Sequence, residues 1–333
     1  MSDRDILAAL ERRIGRPFAH TLEGDRLVAL DLTSADYLFR GLVRRHSKAE
    51  KQEIMALVSR LSGLRTLNLR RNKLHELPES FQNLRELEHL NLGSNYLGSV
   101  PWQIRRFSRL TYLHLGNNDI TELPPWIGEF ERLEYLTVHK NLKLRSVDML
   151  AGHKRLKALN LYLVSLGSAP AFMYDMTSLV NLTLWNTSLS DEVARLTNLE
   201  FLTDCGGLTA LPEGFTKLRK LRMARLYQNR LERLPDHFGD LENLEQLSLY
   251  QNRLTRLPDS MVRLKKLTKL NLGWNRLETL PSWLDQLPAL EWLGVFENPL
   301  RDRDACPMPH AACVAREWPF TSLHAPVRPD VSL

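Results

Sequence analysis

No stretch of this chain approaches the roughly 18 uninterrupted apolar residues that a membrane-spanning helix needs. The N-terminus, MSDRDILAALERRIG, carries Asp3, Asp5 and Glu11 where a secretory leader requires an apolar core. Export by that route is not expected; a cytoplasmic location is, or delivery into a host cytoplasm by a route that reads no such leader. Three cysteines in 333 residues, Cys205, Cys306 and Cys313, are too few to staple the fold, which points to a reducing compartment. Cys306 and Cys313, with His310 between them and His324 downstream, give the spacing C-x3-H-x2-C, which matches no common structural zinc pattern. They read as reduced thiols of a C-terminal cap. The chain also lacks a phosphate-binding loop, a nucleophile elbow and a metal-binding helix motif, so neither an enzyme nor a cofactor is expected. A formal charge of +6 favours an acidic partner but falls short of a nucleic-acid-binding surface.

What the chain does have is self-similarity. LRTLNLRRNKLHELPESFQN opens at Leu64, LEHLNLGSNYLGSVPWQIRR at Leu87 and LTYLHLGNNDITELPPWIGE at Leu110. Further units open at Leu133, Leu156, Leu179, Leu199, Leu221, Leu244, Leu267 and Leu290, eleven in all, the last truncated. The interval is 23 residues except for 20 after Leu179 and 22 after Leu199. The template is L-x-x-L-x-L-x-x-N-x-L-x-x-L-P-x-x-φ-x-x-φ-x-x, numbered below as positions 1 to 23.

Each position has a physical reason. Alternation at positions 4 and 6 sends two leucines inward from a short strand, while positions 3, 5 and 7 point outward. Asparagine at position 9 (Asn72, Asn95, Asn118, Asn229, Asn252, Asn275 and Asn298) can bond backbone groups of adjacent coils that the turn leaves open. Leu-Pro at positions 14 and 15 predicts an extended or polyproline return. One coil cannot bury its apolar face alone, so coils must stack. Strands about 4.8 Å apart would make an inner sheet of roughly 50 Å on the concave side.

On these residues the sequence resembles leucine-rich-repeat proteins of the 23-residue L-P type. That type is found in bacterial proteins and in intracellular scaffolds related to Ras-signalling and cell-polarity repeat proteins. The resemblance covers residues 64–300 and implies an α/β repeat fold, a horseshoe solenoid with a parallel concave sheet. It says much less about function.

The expected organisation is a helical N-terminal cap over 1–63, eleven repeats over 64–300, and a cap with an extended tail over 301–333. Ser2 is expected to cap a helix carrying Ile6, Leu7, Leu10 and Ile14, stopped by Gly15 and Pro17. LVALDL at Leu27 matches the repeat strand, a degenerate zeroth repeat. Two helical patterns follow, one with Leu38, Phe39, Leu42 and Val43, the other opening at Ser47 with a capping box to Glu50 and carrying Ile54, Leu57, Val58 and Leu61. Beyond Leu300, Ala311 to Trp318 suggests a short helix over the last coil. Some bacterial effectors with similar repeats add a ubiquitin-ligase domain; 33 residues leave no room for one here.

Repeat phase identifies the outward residues. Positions 3, 5, 7 and 8 comprise 44 residues, of which ten are aromatic: Tyr112, Tyr135, Tyr162, Trp185, Phe201, Tyr227, Tyr250, Trp274, Trp292 and Phe296. Against 8% aromatics chain-wide, strand propensity explains only part of that enrichment. Aromatic rings with arginine are the usual composition of binding hot spots. Arg70, Arg71, Lys140, Arg225 and Lys269 share these positions with only Glu297, so the expected partner carries an apolar patch with acidic flanks. Position 7 reads Tyr162, Trp185, Cys205, Tyr227 and Tyr250 over five coils, which makes this the expected hot region.

The irregular units fall in the same stretch. Val164 and Thr187 replace the asparagine, and the unit at Leu199 has a gap there. Asp204 stands where an inward leucine belongs, followed by Cys205, Gly206 and Gly207. Either the carboxylate finds partners or the strand ends early. Local reshaping of a binding site and simple repeat decay both fit. His89, His114 and His139 form a diagonal on adjacent coils, roughly 7–8 Å apart, long for one metal centre; they read as polar contacts. Arg230, Arg253 and Arg276 form a column at the sheet's exit edge, a solvated charge row or a second contact surface.

The function expected is a non-catalytic protein-binding scaffold or adaptor. The alternatives are the substrate-recognition module of a bacterial effector lacking its catalytic domain, and a single-stranded nucleic-acid binder that stacks bases on the aromatic column. Five cations spread over about 50 Å are thin for the last.

Overall fold

In the computed structural model, stacking buries the leucines that a single coil cannot. It describes residues 1–34, 48–164 and 166–301. The expected helix at Leu38–Val43, the Ser47 cap, and everything expected beyond Arg301, including Cys306, His310, Cys313 and the 311–318 helix, lie outside the described residues. The described residues form two compact units, Met1–Ala158 and Leu159 onward.

The first unit opens with α1 (Asp3–Ile14). Ser2 and Asp5 form a capping box, Gly15 closes the helix in a left-handed conformation, and Ile6, Leu10 and Ile14 are buried. A hairpin not foreseen from the sequence follows: β1 (His20–Glu23) runs antiparallel to β2 (Arg26–Asp31). β2 is the strand expected at Leu27, and it pairs in parallel with β3 (Thr66–Asn68). β1 therefore covers the edge of the parallel strands, which would otherwise offer unpaired amides. Between them lies α2 (Lys48–Val58), whose Ile54, Met55 and Val58 are buried. β4 (His89–Asn91), β5 (Tyr112–His114) and β6 (Tyr135–Thr137) continue in parallel, each residue paired with its counterpart one repeat on.

β7 (Ala158–Asn160) spans the division. In the second unit β8 (Gly167–Ser168) pairs with β10 (Thr187–Ser188) as a two-residue parallel ribbon. The main strands are β9 (Asn181–Trp185), β11 (Phe201–Cys205), β12 (Met223–Arg225), β13 (Gln246–Ser248), β14 (Lys269–Asn271) and β15 (Trp292–Gly294), paired in chain order. The inward leucines, such as Leu247 and Leu249, are fully buried. Truncating one of these to alanine costs about 2–5 kcal/mol.

The return segment differs from the expected extended chain. Proline itself is extended (Pro78 φ −66°, ψ 153°; Pro258 φ −71°, ψ 140°), but one 3-10 turn follows it, as at Glu79–Asn83 and Asp259–Arg263. Proline is tolerated there because the first turn has no amide partner in any case.

Two features hold coil to coil. In the first, Asn95 Oδ1 accepts the amides of Asn72 (2.9 Å) and Leu74 (3.1 Å) in the preceding coil. Its Nδ2 donates to the carbonyls of Leu69 (3.1 Å) and Leu92 (2.9 Å). Asn118, Asn252, Asn275 and Asn298 repeat the pattern. Asn141, absent from the sequence-derived set, also belongs: it accepts from Ile120 and donates to Leu115 and Val138. In the second feature, position 8 is left-handed in every unit. Arg71, Ser94, Asn117, Lys140, Leu163, Asn186, Gly206, Gln228, Gln251, Trp274 and Glu297 all have positive φ, and Ser34 does the same one repeat earlier. One left-handed residue turns the chain out of the strand.

Where asparagine is missing, other groups substitute. The Thr187 hydroxyl donates to the Trp185 carbonyl (3.0 Å), and the β8–β10 ribbon occupies the backbone groups beside it. The Tyr174 hydroxyl accepts from the Ser190 amide (2.9 Å).

Candidate functional site

The outward rings are neither fully exposed nor part of the core. Tyr162, Trp185, Phe201, Tyr227, Tyr250, Trp292 and Phe296 in the second unit are half-buried; Trp274, on its left-handed turn, is 49% exposed. Tyr112, Tyr135 and Lys140 in the first unit are half-buried as well.

Position 7 of the second unit builds a floor of rings. Tyr162 meets Trp185 edge-to-face at 5.3 Å. A β-carbon at Gly206 would stand 3.0 Å from the Trp185 ring, and Gly206 also has φ +106°, so this turn requires glycine twice over. Downstream, Tyr250 and Phe296 meet at 5.9 Å although a whole coil lies between them. Gly273 permits this, because a β-carbon there would fall 2.6 Å from the Phe296 ring.

Cys205, read as the interruption of the column, is fully buried within it. Burial pushes its thiol up to about 12, while a hydrogen bond from the Tyr227 hydroxyl pulls it down. Burial also raises Tyr227 and Tyr162, so all three groups stay neutral over ordinary pH. Arg225, two residues before Tyr227, is 9% exposed, and burial lowers its pKa. Lys269 is in register with Trp292 on the next strand. Phe201 is in register with Met223 rather than with another ring.

Asp204 resolves differently from either expectation. β11 does not end early: it runs five residues where β12 and β13 run three. Nor does the carboxylate find a partner. It is fully buried, paired with Leu184 in register, and neither oxygen has a hydrogen bond. The nearby amides of Thr187 and Cys205 favour its ionised form, but burial dominates and raises the pKa to about 8.

The first unit carries its own smaller group. His89, Tyr112 and Tyr135 form a row at position 3, with rings 6.1 and 6.3 Å apart. His114 and His139 meet edge-on at 5.3 Å. Burial, then the charges of His139 and Arg70, lower His114 to about 3, and its Nδ1 accepts the Gly116 amide (3.2 Å). The polar contacts of His114 are therefore those of a neutral imidazole at ordinary pH. Two exposed rings of this unit, Tyr96 and Trp102, lie outside the strand positions and escaped the sequence reading.

Among the described residues, no group of three His, Cys, Asp or Glu side chains could hold a metal ion, and no helix is long and apolar enough to cross a membrane.

A family model described as "Leucine-rich repeat region" matches residues 38–169 and 209–306. No curated protein matches. Among solved structures, an internalin from Listeria monocytogenes is similar over 90% of this chain and 91% of its own, at 18% identity and TM-score 0.61; this likeness concerns the fold alone. Toll of Drosophila, solved as the Toll–Spatzle complex, is similar at 27% identity and TM-score 0.64, over 74% of this chain and 35% of that one. The ectodomain of the Arabidopsis thaliana receptor kinase GASSHO1/SCHENGEN3, solved with Casparian strip integrity factor 2, gives 27% identity and TM-score 0.55, over 71% of this chain and 33% of that one. This chain therefore spans about a third of either of these two chains. With its eleven-fold period, its asparagine ladder and its in-register parallel strands, the chain belongs to the leucine-rich-repeat proteins.

Proposed function

We propose that this protein is a non-catalytic scaffold or adaptor that binds a partner protein on the strand face of its second unit. One observation carries this reading: rings of Tyr162, Trp185, Tyr227, Tyr250 and Phe296 occupy one register position, half-buried, with the buried Arg225 two residues before Tyr227 on the same face. Half-buried rings are held in place before a partner arrives, so binding costs little conformational entropy. Leucine-rich repeats are commonly used for protein interaction, and two similar structures were solved with protein ligands.

The expected partner presents an apolar patch with acidic flanks, to meet these rings and the cations Arg225 and Lys269. We read residues 1–63 as the cap of the array. We place the protein in a reducing compartment, cytoplasmic or reached by delivery, where the buried thiol of Cys205 stays unpaired.

The test is affinity capture with the variant Trp185→Ala/Tyr227→Ala/Tyr250→Ala. It should lose partners retained by the wild type while circular dichroism still shows a folded chain. Because two of these rings pack on neighbours, Trp274→Lys serves as a second variant: its ring is the most exposed of the set at 49%, so with an unchanged thermal midpoint, weakened capture would reflect the surface. Full capture by both variants would refute the assignment of this face.

A further inference from the structure

Arg225 is the predicted cation that the sheet buries most deeply, 9% exposed at the end of β12. It is flanked in register by Thr203 and Ser248, neither of which can balance a charge. The ion pairs of this coil are made elsewhere, by Arg222 with Glu245 and Glu200 and by Asp240 with Arg219 and Arg263. Asp204 stands at an inward position of the neighbouring strand. Among the described residues Arg225 makes no side-chain hydrogen bond or ion pair. A guanidinium does not escape this position by losing its proton, and a buried cation without a counter-charge is costly.

Rings stand on both sides of it. Tyr162 and Trp185 lie upstream, and Tyr250 and Phe296 lie downstream, each a touching pair. From the Trp185 coil to the Tyr250 coil is three strand spacings, about 14 Å. An extended peptide covers that span in about four residues.

We propose that Arg225 receives the carboxylate of an aspartate or glutamate side chain lying within an extended partner segment, between two apolar residues that rest on the flanking ring pairs. This rests on the reading that the face binds protein, and adds to it the chemistry at the centre. Arg225 lies two residues along its strand from the ring row, so a segment that reaches both ring pairs passes beside it, and the carboxylate comes from within the chain rather than from its end. Guanidinium meets carboxylate through two parallel hydrogen bonds, which fixes the segment's position. A single buried cation suits one carboxylate; a nucleic-acid strand would need a run of cations.

The probe is a library of random nine-residue peptides displayed between fixed flanks, selected on the full chain and on Arg225→Gln. Binders of the wild type should carry an acidic residue between two apolar ones. As synthetic peptides blocked at both ends, they should weaken roughly 10- to 100-fold when the acid becomes its amide. Arg225→Gln should impose a similar loss, and the two losses should not add. Arg225→Lys should recover part of the affinity, and thermal unfolding of each variant should confirm a folded chain. Binders without an acidic residue, or losses that add in full, would overturn the proposal and leave the protein-binding reading standing. Binding that requires an unblocked C-terminus would overturn the internal placement, and Arg225-dependent retention of oligothymidine would replace the peptide by a nucleic acid. Failure to enrich any binder on the wild type would remove the protein-binding reading itself, and this inference with it.

Discussion

Replacing Asp204 by asparagine should stabilise the protein at pH 8 and not at pH 4. The carboxyl is fully buried with both oxygens unbonded, and its pKa stands near 8 against 3.8 for a free aspartate. Below pH 4 it is protonated in both folded and unfolded chains and contributes no pH-dependent term. As pH rises from 4 to 8 the unfolded chain releases this proton while the folded chain retains it, so stability falls by about 1.4 kcal/mol per pH unit. The accumulated cost is about 4 kcal/mol at pH 7 and approaches about 6 kcal/mol above pH 8. Asparagine has nearly the same shape and no charge, but leaves a buried amide unsatisfied at about 1–3 kcal/mol. The two effects should cross between about pH 4.5 and pH 6. Urea unfolding of wild type and variant at pH 4, 5, 6, 7 and 8 reads this directly. If the two chains show the same pH slope over that range, the carboxylate is solvated or paired and the reasoning fails. Asp204→Leu, which restores the residue type found at this position in most other coils, should share the flat slope.

Further outcomes follow from the ladder and from the buried imidazole. Asn252→Ala removes donors to the Leu226 and Leu249 carbonyls and the acceptor for the Leu231 amide, all buried. At about 1–3 kcal/mol per orphaned group, several kcal/mol should be lost, readable as a lower denaturation midpoint. His114 has the opposite sign to Asp204. Its folded pKa of about 3 lies below the ordinary 6.5, so stability is full above pH 6.5 and lost as pH falls towards 3. His114→Gln should flatten that acid limb, and nitrogen-15 chemical shifts should show a neutral imidazole at pH 5; a titration near pH 6 would contradict the burial argument.

Sequence legibility tracked how strictly physics limits each position. Inward leucines and the asparagine have few substitutes, so the coil, the strand at Leu27 and most of the ladder were readable directly. The left-handed turn at position 8 was not. It is filled by arginine, serine, lysine, leucine, glutamine and tryptophan alike, because strand and ladder impose the conformation whatever the residue prefers. The aromatic row was legible as a row, since period fixes face. Its depth was not: whether Tyr250 reaches Phe296 depends on Gly273, one coil away, and only the packed structure brings the three together. Likewise repeat phase placed Arg225 outward, but its burial depends on neighbouring side chains. Helical period gave α1, whereas β1, four residues with a mixed pattern, carried no comparable mark.

The asparagine ladder gives the array a direction. Each asparagine belongs to one coil but completes the backbone of the coil before it, as Asn298 does for the Leu277 amide and the Leu272 carbonyl. A coil peeled from the C-terminal end therefore strands main-chain groups that cannot turn away from their position. Both ends lose the strand hydrogen bonds between coils alike, but within the ladder a coil removed from the N-terminal end frees only a side-chain amide, which can rotate towards water. Unravelling is thus unequal in its two directions, and among the described residues Asn298 acts as a latch on the coil before it.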